Sequence, residues 1–246
     1  MQWDLVDIIG LLCSRTYIPP DQMPTTLGGW VASLAAQLGP NFANRYIVDP
    51  DHADLPLTPR TSDDVSNINC GDLLRFICMA TGTWARADSS TGYLAVEPYW
   101  NQGNHLTLDN LQSYPVLRAN SDLAALIFIL NDGSSTQLVI SGGSTASGNT
   151  VTVQNPFIQT QEAALTAARQ ILSTYGGNQL ETTGRGDPSS EIGDVDTVDL
   201  DESSATTGRL MSQTFSFTDG VLQGCQSVLL QADGAFLYQE RAVITA

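Results

Sequence analysis

Apolar residues recur at helical spacing three times within the first eighty residues. Leu5, Ile8, Ile9 and Leu12 share one face, which predicts a short opening helix that ends before Pro19-Pro20. Leu27, Trp30, Val31, Leu34 and Leu38 form a second stripe behind Thr26, a hydroxyl N-cap, and Gly39-Pro40 stops it. A third helix starts at Asn69, carries Asp72 at the dipole-favoured N3 position, runs through Leu73, Leu74 and Ile77, and stops at Gly82. "RYIVD" reads as a strand, and residues 49–64, rich in Pro and Asp, read as loop. "TWARADSSTGYLAVEPYW" then makes a hairpin closed by Ser89 to Gly92.

From residue 101 the pattern becomes mostly β. "PVLRAN", "LAALIFILND", "TQLVISG" and "TVTVQNP" are short β-prone runs between Asp-Gly and Gly-Ser turns, and "SGGSTASGNT" reads as a low-complexity loop. One helix interrupts them. Thr160 caps it, Ala164, Ala168, Ile171 and Tyr175 face inward, and Gly176-Gly177 ends it. Asp219-Gly220 marks a tight hairpin between "MSQTFSF" and "VLQGCQSVLLQA". No internal repeat is visible. The fold class expected is α+β, a helix-containing portion followed by β-barrel-like modules. Residues 1–100 form the α+β portion with three helices and a hairpin, 101–155 a β-rich segment that is part of a barrel, and 156–246 a helix plus a terminal β-barrel-like domain.

Composition sharpens this picture. The 246 residues are 42% hydrophobic and 15% charged, which suits a folded chain with an apolar core. Ten Arg and no Lys stand against 26 acidic residues, and the net charge of −16 argues against nucleic acid or anionic membrane as a binding partner. Met1-Gln2-Trp3-Asp4 lacks the basic start of a secretory signal, and the apolar run from Ile8 to Cys13 is too short to span a bilayer. Cys13, Cys70, Cys78 and Cys225 show no CxxC spacing, so no structural zinc site is expected. Cys70 and Cys78 share one helix about 12 Å apart, beyond the roughly 7 Å that a disulfide allows. Reduced thiols in a cytoplasm follow.

The chemistry-bearing candidates are few. "GRGDPSSEIGDVDTVDLDE", residues 184–202, contains the adhesion-like triplet Arg185-Gly186-Asp187 and the acidic series Asp194, Asp196, Asp199 and Asp201. Pro188 fixes its φ and pushes Asp187 out of helical space, so Gly186-Asp187-Pro188 is a turn, and Gly193-Asp194 is a second one leading into a strand. Turn chemistry accounts for the triplet. The acids lack the glycine and closing Glu of an EF-hand, leaving a weak calcium site or a solvated, repulsive loop edge as readings. His52 and His105 are too few for a zinc hydrolase. Cys70, Cys78 and Cys225 fall on apolar patterns, Tyr99-Trp100 closes a hairpin core or stacks on a sugar, and among the abundant acids Glu97 or Glu191 with an Asp are examples of pairs for glycoside cleavage, with no motif behind them. No catalytic, cofactor-binding or metal-ligating residue is assigned, and no cofactor is expected.

The stretch "GDPSSEIGDVDTV", followed by "GRLMSQTFSFTDGVLQGCQSVLL", resembles the last barrel of phage tail-hub or baseplate-hub proteins, the prophage tail endopeptidase-like minor structural family. "NCGDLLRFICMATGTWARADSSTGYLAV" and "VTVQNPFIQTQEAALTAARQIL" are similar to upstream parts of that family in the same order. Ser190 and Asp196 depart from it, standing where the family has apolar residues. The family also has a β-rich portion before its first helix, so a partial chain, or a first barrel completed by a neighbouring subunit, is expected. The long carboxy-terminal extensions that often carry an enzyme or a receptor binder have no counterpart in these residues. The resemblance implies a structural, non-enzymatic subunit of a tail tip or baseplate hub, made in the bacterial cytoplasm and carried in the virion. It implies a homo-oligomer, a trimer whose two similar barrels per chain mimic six-fold symmetry. Its partners would be the distal tail ring and the tape-measure protein, and DNA would pass through it without specific binding. The rival readings are a tail-associated cell-wall hydrolase and a carbohydrate-binding module.

Overall fold

The structure is a computed structural model that describes residues 6–99, 103–118, 123–134, 136–141, 149–175, 178–186, 190–231 and 239–240. The first part of the chain forms α1 (Ile8–Cys13), α2 (Leu27–Gln37), β1 (Tyr46–Val48), α3 (Cys70–Thr81), β2 (Thr83–Ala87) and β3 (Leu94–Pro98). Then come β4 (His105–Leu106), β5 (Val116–Arg118), β6 (Leu123–Ile129), β7 (Gln137–Ser141), β8 (Asn149–Gln154) and α4 (Gln161–Tyr175). The last strands are β9 (Gln179–Gly184), β10 (Val195–Asp199), β11 (Ala205–Thr218), β12 (Val221–Gln231) and β13 (Gln239–Glu240). The α+β class with barrel-like β modules holds.

The helix ends fall where the capping residues stand. Thr26 Oγ1 accepts the Gly29 N–H at 3.2 Å, Asn69 Oδ1 accepts that of Gly71 at 2.9 Å, and Thr160 Oγ1 that of Ala163 at 3.2 Å. Asp7 caps α1, and Gly82 closes α3 with φ +70°, a left-handed conformation that a side chain would resist. The predicted end of α4 at Gly176-Gly177, the turn residues Asp187-Pro188, the loop 142–148, Leu5 and Trp100 lie outside the described residues.

The first core sits between α1, α2, α3 and a three-stranded sheet in the order β1-β3-β2, with β1 parallel to β3. Trp30 is its centre and is fully buried. Its ring meets Phe157 edge-on at 5.0 Å and Tyr17 at 5.9 Å, and its indole Nε1 donates to the Leu57 carbonyl at 2.8 Å. Phe157 comes from the turn before α4, so this core also anchors the next layer. There, a sheet in the order β13-β7-β6-β8 packs Leu126, Phe128, Leu138 and Ile140 against Ala164, Ala167 and Ala168 of α4. The small alanines let the helix approach the sheet closely.

Sheet membership cuts across chain order. β4 and β5, near the middle of the chain, join the terminal strands in a six-stranded sheet ordered β4-β10-β11-β12-β9-β5. Its long hairpin turns at Asp219 and Gly220, both with positive φ (52° and 77°), the two-residue geometry that matches strand twist. Two bulges in the β11–β12 ladder, at Leu210/Ser212 and Ser216/Phe217, curl the sheet around Leu180, Val198, Leu210 and Leu229. Among the described residues no helix is long and apolar enough to cross a membrane.

Truncating the central indole tests this layering. Trp30→Ala is expected to cost about 3–5 kcal/mol through lost packing with Phe157 and Tyr17, read as a drop in the denaturant midpoint of unfolding.

Candidate functional site

The stretch 190–199 is a corner tied from three sides. Gly193 has φ +105°, and the Asp194 carboxylate accepts the Glu191 N–H at 2.8 Å while the Asp194 N–H donates to the Glu191 carbonyl at 3.0 Å. The corner is stitched to β11, because the Gly193 N–H donates to Leu210 O at 2.9 Å and the Leu210 N–H to Asp194 O at 2.7 Å. From below, Gly103 and Asn104 run against β10 so closely that a Cβ on Gly103 would overlap the Val195 carbonyl.

From the side, the β2–β3 hairpin grips the corner through two arginines. Arg86, with 18% of its side chain exposed, meets Glu97 at 2.6 Å, Glu191 at 3.0 Å and Asp88 at 3.6 Å. Burial alone would lower the pKa of this guanidinium, but the Glu97 hydrogen bond and the surrounding carboxylates outweigh it and raise it. Ser89 also donates its hydroxyl to Glu191. Arg209 runs the other way: it donates to the Gly193 carbonyl at 2.8 Å and lies 4.7 Å over the ring of Tyr99, which stacks on Trp84 at 5.8 Å. Hairpin and terminal sheet are thereby one joint.

The acidic series does not converge on an ion. Asp196 is 2% exposed and accepts the Asn104 N–H at 2.8 Å, so the solvated-edge reading fails at this residue. Asp199 pairs with His105 Nε2 at 2.8 Å between the parallel strands β10 and β4. Asp201 caps its own turn, and hydrogen bonds from Ser204 and Ser203 hold its pKa at about 2. Among the described residues no group of three or more His, Cys, Asp or Glu side chains could hold a metal ion.

The departures at Ser190 and Asp196 have one physical cause. Asn104 donates its amide to Ser190 Oγ at 2.9 Å and its backbone N–H to Asp196, and its carbonyl accepts the Thr197 N–H at 2.8 Å. Hydrogen bonds thus replace apolar contact at this seam. Beneath it lies a cavity of about 270 Å³ lined by Asp196, Thr182, Ser227, Cys225 and Arg185. Position 104 carried no signal in the sequence, because its partners lie about ninety residues away.

The other candidates are dispersed. His52 bonds Asp49 at 2.8 Å within its own loop. Cys70, Cys78 and Cys225 are buried, and burial pushes the Cys70 and Cys78 thiols up to about 11 and about 12, far from a reactive thiolate. Glu97 and Glu191 do meet, but across the Arg86 guanidinium that both bind. Arg185 donates its N–H to Asn110 O, and Gly186, at φ +72°, leaves no room for a Cβ beside Cys225. Turn packing explains the glycine of the adhesion-like triplet.

No family model and no curated protein sequence matches the chain. Solved structures do. A tail protein from Neisseria meningitidis MC58 superposes with a TM-score of 0.67 at 14% identity, over 94% of this chain and 74% of that one. The 43 kDa tail protein of prophage MuSo2 from Shewanella oneidensis gives 0.59 at 17% identity, over 90% and 69%. This is the fold of phage tail proteins. An E. coli type VI secretion component, described as structurally similar to the T4 bacteriophage tail proteins gp27 and gp5, shares it with a TM-score of 0.51 at 10% identity, over 95% of this chain and 55% of that one. In the tail-protein fold of this chain, the corner at 190–194 joins the terminal sheet to the hairpin of the first part.

Returning Asp196 to the apolar residue that the resemblance expects is predicted to harm the fold. Asp196→Val strands the Asn104 donor in a buried seam and should cost about 1–3 kcal/mol, measured by chemical denaturation. Acid acts at the hairpin turn. Bonds from Ser90 and Thr91 hold Asp88 at about 2, below the unfolded value of roughly 3.9. Its contribution is therefore complete above pH 4 and lost as pH falls through about 2. Asp88→Asn should flatten the acid limb of a stability–pH curve between those values.

Proposed function

We propose that the chain is a structural subunit of a bacteriophage or prophage tail, and that copies of it form the hub ring at the tip or baseplate. The observation that carries this reading is the likeness to tail proteins over nine-tenths of the chain or more. Two sheet edges that no strand covers among the described residues support assembly. β5 ends the six-stranded sheet with Val116 and Leu117 about half exposed beside an exposed Tyr114, and β8 ends the four-stranded sheet with Val151 exposed. Neither edge carries an acid: no charged residue stands between Asp109 and Arg118, nor between Asp132 and Glu162. In a chain of net charge −16, such edges are where like-charged copies approach at least cost, and unprotected edges invite strand pairing.

The ring is a trimer in this reading, with two sheet modules per chain approximating six-fold symmetry. It connects tail tube and distal tail ring to the tip, meets the end of the tape-measure protein and lets DNA pass. Carboxylates around a lumen repel phosphate over a Debye length of roughly 8 Å, so DNA slides without being held. In this reading the chain acts as a virion component and not as an enzyme, a role that the likeness to tail proteins supports.

Native mass spectrometry of the purified chain at micromolar concentration tests the reading. A species of three chain masses is expected, alone or with the distal tail protein added; a monomer under both conditions overturns it.

A further inference from the structure

The tip of the β11–β12 hairpin is apolar and unsheltered, with Phe217 64% and Val221 61% exposed on either side of the Asp219-Gly220 turn. Elsewhere on the chain, Ile9, Leu74, Met79, Trp84, Tyr99 and Ile171 line an open groove of about 340 Å³, large enough to take an aromatic ring with an aliphatic neighbour. We propose that the hairpin tip of one copy seats in this groove of the next copy, a contact that rests on the ring reading above and names where its subunits touch.

Two observations select a second copy as the occupant. The first is reach. Tyr99 of the groove lies against Arg209 at the base of β11, and eight residues of strand at about 3.3 Å each put Phe217 roughly 25 Å farther along. A chain's own tip stands far from its own groove. The second is charge. Asp219 is the only charged residue from Leu210 to Gln231, and among the described residues Arg75 is the only charged one lining the groove. Arg75 is 76% exposed and bound at 3.2 Å to Asp72 of its own helix, so it stands at the rim where an incoming Asp219 can also reach it. Burial of the Phe217 ring and the Val221 side chain supplies the attraction, and the ion pair sets the register. Tip and groove are different surfaces, so the contact is heterologous, and repeating it carries each copy to the next until a ring closes.

A benzophenone amino acid in place of Phe217 tests the contact in the assembled oligomer, with isotopically mixed chains separating links between copies from links within one. Expected are cross-links to peptides bearing Leu74, Met79 or Trp84 of the other copy. Cross-links to other peptides, or none while native mass still shows an oligomer, overturn the tip-in-groove contact and leave the ring reading standing. A chain that is monomeric throughout removes both. Charge exchange gives a second readout. Asp219→Arg and Arg75→Asp should each raise the dissociation constant of assembly at least five-fold, and the double variant should recover most of it. Single variants that assemble like the parent, with circular dichroism unchanged, overturn the proposal, as does a double variant without recovery.

Discussion

A single guanidinium organises the junction of this molecule. Arg86 leaves the β2–β3 hairpin and meets carboxylates from its own strand pair, Glu97 and Asp88, and from the corner before β10, Glu191. Taking an arginine to 18% exposure costs solvation, and only partners at bonding distance offset it. In a chain with ten cations against 26 acids, each buried cation is a scarce neutralising group, and here one serves three acids. Arg209 repeats the logic through a carbonyl and an aromatic face. Together they make the hairpin and the terminal sheet a common body, and everything placed on either side inherits that geometry.

Local structure was legible in the sequence because it is decided locally. Thr26, Asn69 and Thr160 cap the helices they precede, and Gly82 and Asp219-Gly220 mark turns whose dihedral angles few other residues tolerate. The resemblance to tail-hub proteins pointed to the right fold. Sheet partnership was not legible. β6 lies directly beside β8 and parallel to it although β7 separates them in the chain, and β4 and β5 leave their neighbours to pair with strands about ninety and sixty residues ahead. Alternation along a strand says which face is buried and is silent about which strand lies beside it.

The acidic run shows the same limit more sharply. Spacing placed Asp194 and Asp196 on one strand face, but the environment separates their roles: Asp194 closes the corner, and Asp196 is buried against the Asn104 N–H. Likewise Glu97 and Glu191, each weighed with an Asp as an acid pair for glycoside cleavage, are both bound to the Arg86 guanidinium. What the stretch contributes is shape. Gly193 turns the chain, Asp194 and Leu210 lock it, and the terminal sheet receives a fixed entry point.

The most direct test of that claim is a double-mutant cycle on Arg86→Ala and Glu191→Ala, read by equilibrium unfolding of the whole chain. If the corner is a joint, the two losses are coupled by about 1–3 kcal/mol, as for residues within one ion-pair network. Losses that simply add, within about 0.3–0.5 kcal/mol, would mean that the two sides of the junction hold independently and that the corner fastens nothing.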